Sequence, residues 1–309
     1  MIPYQCKSPV LFLVFNRPDV TKRVFEAIRQ ARPSKLYVAA DGPRLGRQGE
    51  VECCQQVREI ATAVDWDCEV KTYFRDKNLG CGKAVSLAIT WFFENVEEGI
   101  ILEDDCLPDH SFFRFCDELL VSYRDDDRIQ HIGGTNPLNQ NVVSSNYYYS
   151  KYNRIWGWAT WAKSWNHFDL ELVNWPALKE SDLLYECFGA EEADYWSDVF
   201  DTCYAGEIDT WDYQWFLSRL CIGMGIMPGC NLVSNIGFGD GATHTIDPSN
   251  VLGKMQTQKI HFPLVKPSSY VPDFKHDSAW GDELISSSKR KLIVRIKRAL
   301  KKMHYKLRK

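Results

Sequence analysis

Three consecutive carboxylates, Glu103-Asp104-Asp105, end an apolar run that begins at Ile100. Ligands in open α/β sheets gather at the carboxyl ends of strands, and three adjacent anions repel one another unless a cation or cationic groups compensate them. Hard oxygen ligands of this kind suit Mg²⁺ or Mn²⁺ bridging a diphosphate; on spacing alone they also read as a solvated acidic turn. A second acidic pair, Asp209 and Asp212, lies in Asp209-Thr210-Trp211-Asp212-Tyr213-Gln214-Trp215. Burial among aromatics raises a carboxylate pKa towards the range of a general base. The same pair also suits a helix start, with Asp209 as cap and Asp212 at the positive end of the dipole.

The elements that would position these groups are legible as alternating patterns. Apolar runs of strand length recur at Val10 to Phe15, Leu36 to Ala40, Cys68 to Phe74 and Gly99 to Leu102. Helical spacing fills the gaps: a segment capped by Asp19 and running to Ala31, then Val51 to Val64, then Lys83 to Glu94. This order predicts a mostly parallel α/β sheet with a nucleotide-binding βαβ first half. Gly80 and Gly82 precede the third helix, where glycine lets the backbone approach closely and a helix N-terminus favours anions; as a lone Gly-x-Gly they also read as a tight turn. The second half is less regular, with a strand at Tyr147-Tyr148-Tyr149 and helices around Leu178 to Phe188 and Trp211 to Cys221. Beyond Gly239 the prolines at 248, 263, 267 and 272 give the chain a loop-like order.

Bulk properties bound the function. Across 309 residues, 45% apolar and 13% aromatic content is ample for a core. No run approaches the roughly 18 apolar residues of a membrane span, and no secretory leader is visible. Eleven cysteines without Cys-x-x-Cys spacing fit a reducing cytosol. Eleven of the 37 Lys and Arg lie between Lys289 and Lys309 with no acid among them, so the rest of the chain carries 26 basic against 41 acidic groups. In that tail Leu292, Ile296, Leu300, Met303 and Leu307 recur at helical spacing, which predicts a cationic amphipathic helix suited to an anionic membrane surface, or else a solvated tail. Charge alone supports no nucleic-acid partner.

Taken together, Val10 to Pro18 (VLFLVFNRP), Ala39-Ala40-Asp41-Gly42, Asn78-Leu79-Gly80-Cys81-Gly82 and Leu102-Glu103-Asp104-Asp105 resemble the nucleotide-sugar half of GT-A glycosyltransferases. The similarity is to family-2-like bacterial enzymes and, more distantly, to N-acetylglucosaminyltransferase I, and it covers about the first 135 residues well. It implies that Phe15, Asn16 and Arg17 lie beside the nucleotide and that Asp41 accepts from the base. Asn78, Gly80, Gly82 and Lys83 belong to the loop that opens a helix against the donor. Asp105 is implied as the direct metal ligand, Asp104 as a ligand or ribose neighbour, and Glu103 as a donor contact. Asp212 matches the catalytic base, with Asp209 second, and His244 lies in a glycine-rich loop that closes over metal or diphosphate. The family pattern is often Asp-x-Asp, whereas this chain has Glu-Asp-Asp. Among the indoles of Arg154 to Trp165, Trp156 and Trp158 are the acceptor contacts expected, since indole faces stack on sugar rings; packing in the core is their other reading.

The expectation is therefore a GT-A type, Rossmann-like mixed sheet flanked by helices, with an acceptor-side region and a basic helical tail. Residues 1–135 form the nucleotide-sugar half, 136–250 the acceptor and base half of the same domain, 251–288 an extended segment and 289–309 the tail. The expected activity is Mn²⁺- or Mg²⁺-dependent transfer of a hexose or N-acetylhexosamine from a nucleoside diphosphate sugar, UDP favoured, to a glycan or lipid-linked acceptor. It would take place in the cytoplasm or on the inner membrane face. A sugar-phosphate nucleotidyltransferase and a non-catalytic binding protein are the rivals.

Overall fold

Val10–Val14 (β1) is apolar at every position and buried at every position, as a strand covered on both faces must be. It is the first strand of a computed structural model that describes residues 4–138, 145–238 and 255–287. Lys35–Ala40 (β2), Glu69–Phe74 (β3) and Glu98–Glu103 (β4) lie parallel to it in the order β3-β2-β1-β4. β3 is the edge strand, and its side chains are largely open to water. The connecting helices are Pro18–Ala31 (α1), Glu50–Thr62 (α2) and Cys81–Phe93 (α3). α1 starts at Pro18, whose fixed φ suits the first helical position, so Asp19 lies inside the first turn and does not cap the helix.

The register sets the geometry of the site. Val14 pairs with Ala40, and Leu13 pairs with Glu103. Residues 15–17, 41 and 104–105 therefore leave the sheet along one edge, on either side of β1. The strand order reverses at β1, which makes this edge the crevice where α/β sheets bind ligands.

The chain continues through Cys106–Pro108 (β5), His110–Tyr123 (α4), Ile129–Gly133 (β6), Tyr147–Ser150 (β7) and Trp158–Trp161 (β8). Four helices follow, Ala162–Trp165 (α5), Trp175–Lys179 (α6), Leu183–Phe188 (α7) and Ala190–Tyr204 (α8), then Asp212–Leu220 (α9). Met224–Pro228 (β9) and Val233–Asn235 (β10) complete the strands. β8 joins β4 antiparallel and carries β6, β9 and β7 beyond it, giving one eight-stranded mixed sheet. β10 pairs with β5 in a separate small ribbon. Residues 274–287 are helical, where the proline-rich sequence before them reads as loop. No helix among the described residues is long and apolar enough to cross a membrane.

Apolar side chains cover both sheet faces, and a third cluster packs α8 on α9 through Trp196, Phe200 and Phe216. Trp196 and Phe216 lie 4.3 Å apart between ring centroids. Beneath this layer His131 is wholly buried, stacked on Trp158 at 5.2 Å, with its Nε2 2.9 Å from the Arg154 carbonyl. Burial, followed by the nearby Arg219 charge, pushes its pKa down to about 3. The unfolded chain then takes up a proton that the folded chain refuses between pH about 6.5 and about 3, so stability is lost as the pH falls through that window. His131→Asn should flatten the fall of unfolding free energy with pH by at most about 1.4 kcal/mol per pH unit, read by denaturant titrations from pH 7 to 4. Equal slopes in the two proteins would mean that the imidazole charges freely inside the fold.

Candidate functional site

A cavity of about 310 Å³ opens at the carboxyl ends of β1, β2 and β4. Phe15, Asn16, Arg17, Asp41, Arg44, Arg75, Asn78, Gly80, Glu103, Asp104 and Asp209 all reach it. Most of the nucleotide-side residues expected from sequence thus meet in one place; Gly82 and Lys83 do not line the cavity, and the Lys83 side chain is exposed. One turn into α3, it faces solvent.

Arg17 organises the acidic end. Its Nη2 pairs with Asp104 Oδ1 and, at 2.9 Å, with Asp105 Oδ2. Its backbone carbonyl is anchored by the Thr21 hydroxyl at 2.7 Å. One guanidinium among three carboxylates leaves the cluster short of positive charge. Burial, then repulsion from Asp105 and Asp104, holds the Glu103 carboxyl well above the usual range, and Asp212 adds to the effect. Burial likewise pushes Asp104 up to about 6 against the pull of Arg17. Asp104 Oδ2 is buried and has no hydrogen-bond partner. The backbone of Gly237 lies against this pair so closely that a Cβ there would sit 2.2 Å from Asp105 Oδ2.

The nucleotide end is also tightly held. Asp41 accepts from the backbone N–H of Leu79 at 2.9 Å and from Asn78 Nδ2 at 2.9 Å, which fixes the turn before α3. Its carboxyl is raised by burial in spite of these bonds. Asn16 donates to Glu50 at 2.9 Å, and Glu50 pairs with Arg44, whose guanidinium lies 5.4 Å from the Phe15 ring centroid. Arg75 donates through Nη1 to the Ala84 carbonyl at 3.1 Å, while its Nη2 is buried without a partner. The cavity wall therefore carries both an unsatisfied guanidinium nitrogen and an unsatisfied carboxylate oxygen, each costly to leave unpaired in a dry environment.

Asp209 does not cap its own helix. Its carboxylate accepts from the backbone N–H groups of Cys81 and Gly82, both at 2.8 Å, and so caps α3 from a distant part of the chain. Gly80 has φ +82° and leaves room for that carboxylate, since a Cβ there would meet Asp209 Oδ2 at 2.4 Å. The glycines that sequence reading assigns to close approach of a ligand thus admit this side chain, at the positive end of α3.

Asp212, the first residue of α9, accepts from the Thr210 hydroxyl and lines a second cavity of about 230 Å³. Trp156, Tyr195, Trp196, Tyr213, Phe216 and Trp280 supply its aromatic walls. Gly157 has φ +63°, a turn that leaves Trp156 at this cavity and sends Trp158 inward. Trp158 is wholly buried and stacked between His131 and Trp211, at 5.2 and 5.6 Å. The expected acceptor contact at Trp158 is thereby corrected: it is core, and no sugar can reach it. His244 and the basic tail lie outside the described residues.

Sequence reasoning missed Arg44, Arg75 and the Trp280 side of the second cavity. Arg44 and Arg75 carry a usable signal, since each follows a strand end by a few residues. Trp280 has none, because its helix follows a proline-rich stretch. No group of three metal-capable side chains converges among the described residues. Mg²⁺ and Mn²⁺ sites commonly rest on one or two carboxylates completed by substrate phosphates and water. The unpartnered Asp104 oxygen and the neighbouring Asp105 carboxylate fit such a site.

No family model matches the chain, and no curated protein matches it in sequence. Among solved structures, one from Bacillus anthracis, described as a glucose-1-phosphate thymidylyltransferase with bound sucrose, is 9% identical over 74% of this chain and 89% of its own, with a TM-score of 0.38. A UDP-glucose pyrophosphorylase solved with UDP-glucose is 10% identical over 72% and 90%, TM-score 0.36. An inositol-1-phosphate CTP transferase of T. maritima is 10% identical over 52% and 74%, TM-score 0.31. The α/β fold itself rests on the strand order and pairing described above.

Proposed function

We propose that the chain is a glycosyltransferase of the GT-A type, using a nucleoside diphosphate sugar as donor and Asp212 as general base. The observation that carries this reading is the pair of cavities. One lies at the strand ends with the acidic triplet, the other is aromatic-walled, and Asp212 lines the second while its charge is felt by Glu103 in the first. Phe15, Asn16, Asp41, Asn78 and the turn at Gly80 and Gly82 would hold the nucleoside, and Arg17, Arg44 and Arg75 would meet the diphosphate. Asp105 and Asp104 would hold Mn²⁺ or Mg²⁺, which when bound neutralises charge on the leaving diphosphate. Glu103, half-buried with its carboxyl held above the usual range, suits a hydrogen bond to a donor hydroxyl.

In the second cavity Trp156 would stack against the acceptor while Asp212 takes the proton of its hydroxyl. The hydroxyl oxygen bonds to the anomeric carbon as the bond from that carbon to the phosphate oxygen breaks. The electron pair leaves with the nucleoside diphosphate, and the configuration inverts.

A sugar-phosphate nucleotidyltransferase is the second reading, the activity named for the solved structures above. The three arginines of the first cavity would also suit a triphosphate. Against it, β1 runs through Phe15-Asn16-Arg17 straight into α1 at Pro18, with no glycine-rich basic loop for a triphosphate to sit in. Calorimetric titration of UDP and GDP with and without Mn²⁺, beside a pyrophosphate-release assay with UTP and glucose 1-phosphate, separates the two. Metal-strengthened binding of one diphosphate without pyrophosphate release supports the transferase. Pyrophosphate release replaces it with the second reading, and no nucleotide binding removes both.

A further inference from the structure

The second cavity contains an arginine, Arg154, together with one carboxylate, Asp212. Arg154 lies on the cavity wall with its guanidinium 3.3 Å from the Trp280 ring centroid, and it forms no ion pair among the described residues. Asp212 accepts from the Thr210 hydroxyl, and two other nearby acids are committed elsewhere. Asp277 accepts from the Ser150 hydroxyl at 2.6 Å and the Lys151 N–H at 2.9 Å. Glu192 accepts from Tyr152 and from Trp196 Nε1, the latter at 3.1 Å. Next to Arg154, Asn153 Nδ2 is buried without a hydrogen-bond partner. Burial depresses the Arg154 pKa to about 10, so the guanidinium stays charged at neutral pH.

A half-buried guanidinium on an aromatic-walled cavity, with an idle amide donor beside it, is built to meet an anion, since a planar fork pairs well with carboxylate or phosphate. Trp156 and Tyr213 line the cavity with aromatic surface that suits the flat, C–H-rich side of a sugar. We propose that the second cavity selects an acidic saccharide acceptor, its carboxylate or phosphate held by Arg154 and Asn153 and its attacking hydroxyl turned to Asp212. The inference rests on the transferase reading for the role of Asp212, and it adds the chemical class of the acceptor. His131 Nε2 lies 2.9 Å from the Arg154 backbone carbonyl and anchors the chain there.

Saturation-transfer NMR titrations of methyl β-glucuronide, glucose 6-phosphate and neutral methyl β-glucoside test the proposal without any turnover. At least one anionic sugar should bind about tenfold or more tightly than the glucoside, and which one does so names the anion as carboxylate or phosphate. Arg154→Met should reduce that preference to less than about twofold, and Arg154→Lys should restore part of it. Nucleotide titrations of the same variants should match wild type, which also certifies their fold. Equal binding of all three sugars, or a preference that survives in Arg154→Met, overturns the acidic acceptor while intact nucleotide binding leaves the transferase reading standing. Failure of nucleotide binding removes that reading instead, and the saccharide titrations still decide what the cavity selects.

Discussion

Asp212→Asn should lower the rate of sugar transfer by about 10²- to 10⁴-fold, the span associated with loss of a positioned general base. The substitution is close to isosteric. Asn Oδ1 can still accept from the Thr210 hydroxyl that now bonds Asp212, and Asn is tolerated at the first position of a helix such as α9. What disappears is the capacity to take a proton. Since Asp212 lines the second cavity and not the first, nucleotide affinity by calorimetry should stay within about twofold, and the loss should fall on kcat. Retention of transfer within about tenfold of wild type would exclude Asp212 as the base.

Asp105→Ala should abolish the strengthening of nucleotide binding by Mn²⁺, with an expected loss of about 100-fold in the metal-dependent affinity; neighbours that merely orient a ligand already cost 10- to 100-fold. Metal-free binding should change far less. Arg17 would still pair with Asp104, so the first cavity keeps its organising ion pair. Calorimetry with and without Mn²⁺ reads the difference directly. If the variant still gains affinity on adding Mn²⁺, the metal is held elsewhere and the acidic triplet is a structural partner of Arg17 alone.

The donor side of the site was the easier half to read because its parts lie next to apolar runs in the sequence. β1, β2 and β4 each end in the residue types that chemistry needs, and parallel register aligns those ends automatically. Which groups face one another was not legible. Arg17 and the aspartates it binds lie 87 and 88 positions apart, and nothing local says that a strand-end arginine will answer the acidic cluster before any ligand does. The tryptophan-rich stretch shows the opposite problem. Trp156 and Trp158 have the same composition around them, and only the left-handed backbone at Gly157, invisible to composition, separates a cavity wall from the core.

The C-terminal helical segment was hidden for a further reason. Prolines at 263, 267 and 272 punctuate the chain just before it, and local signals of that strength read as loop. Tertiary packing overrides them: Trp280 is buried against Arg154 and Leu284 joins the same wall.

One carboxylate ties the two cavities together. Asp209 reaches across 128 positions to hold the amides that open α3, and it stands only three residues before the group assigned as base. The turn before α3 and the start of α9 are therefore joined by a short linkage. A substitution at Gly80 or Asp209 should therefore be felt at both cavities, since Asp209 lines the first and stands three residues before a wall residue of the second.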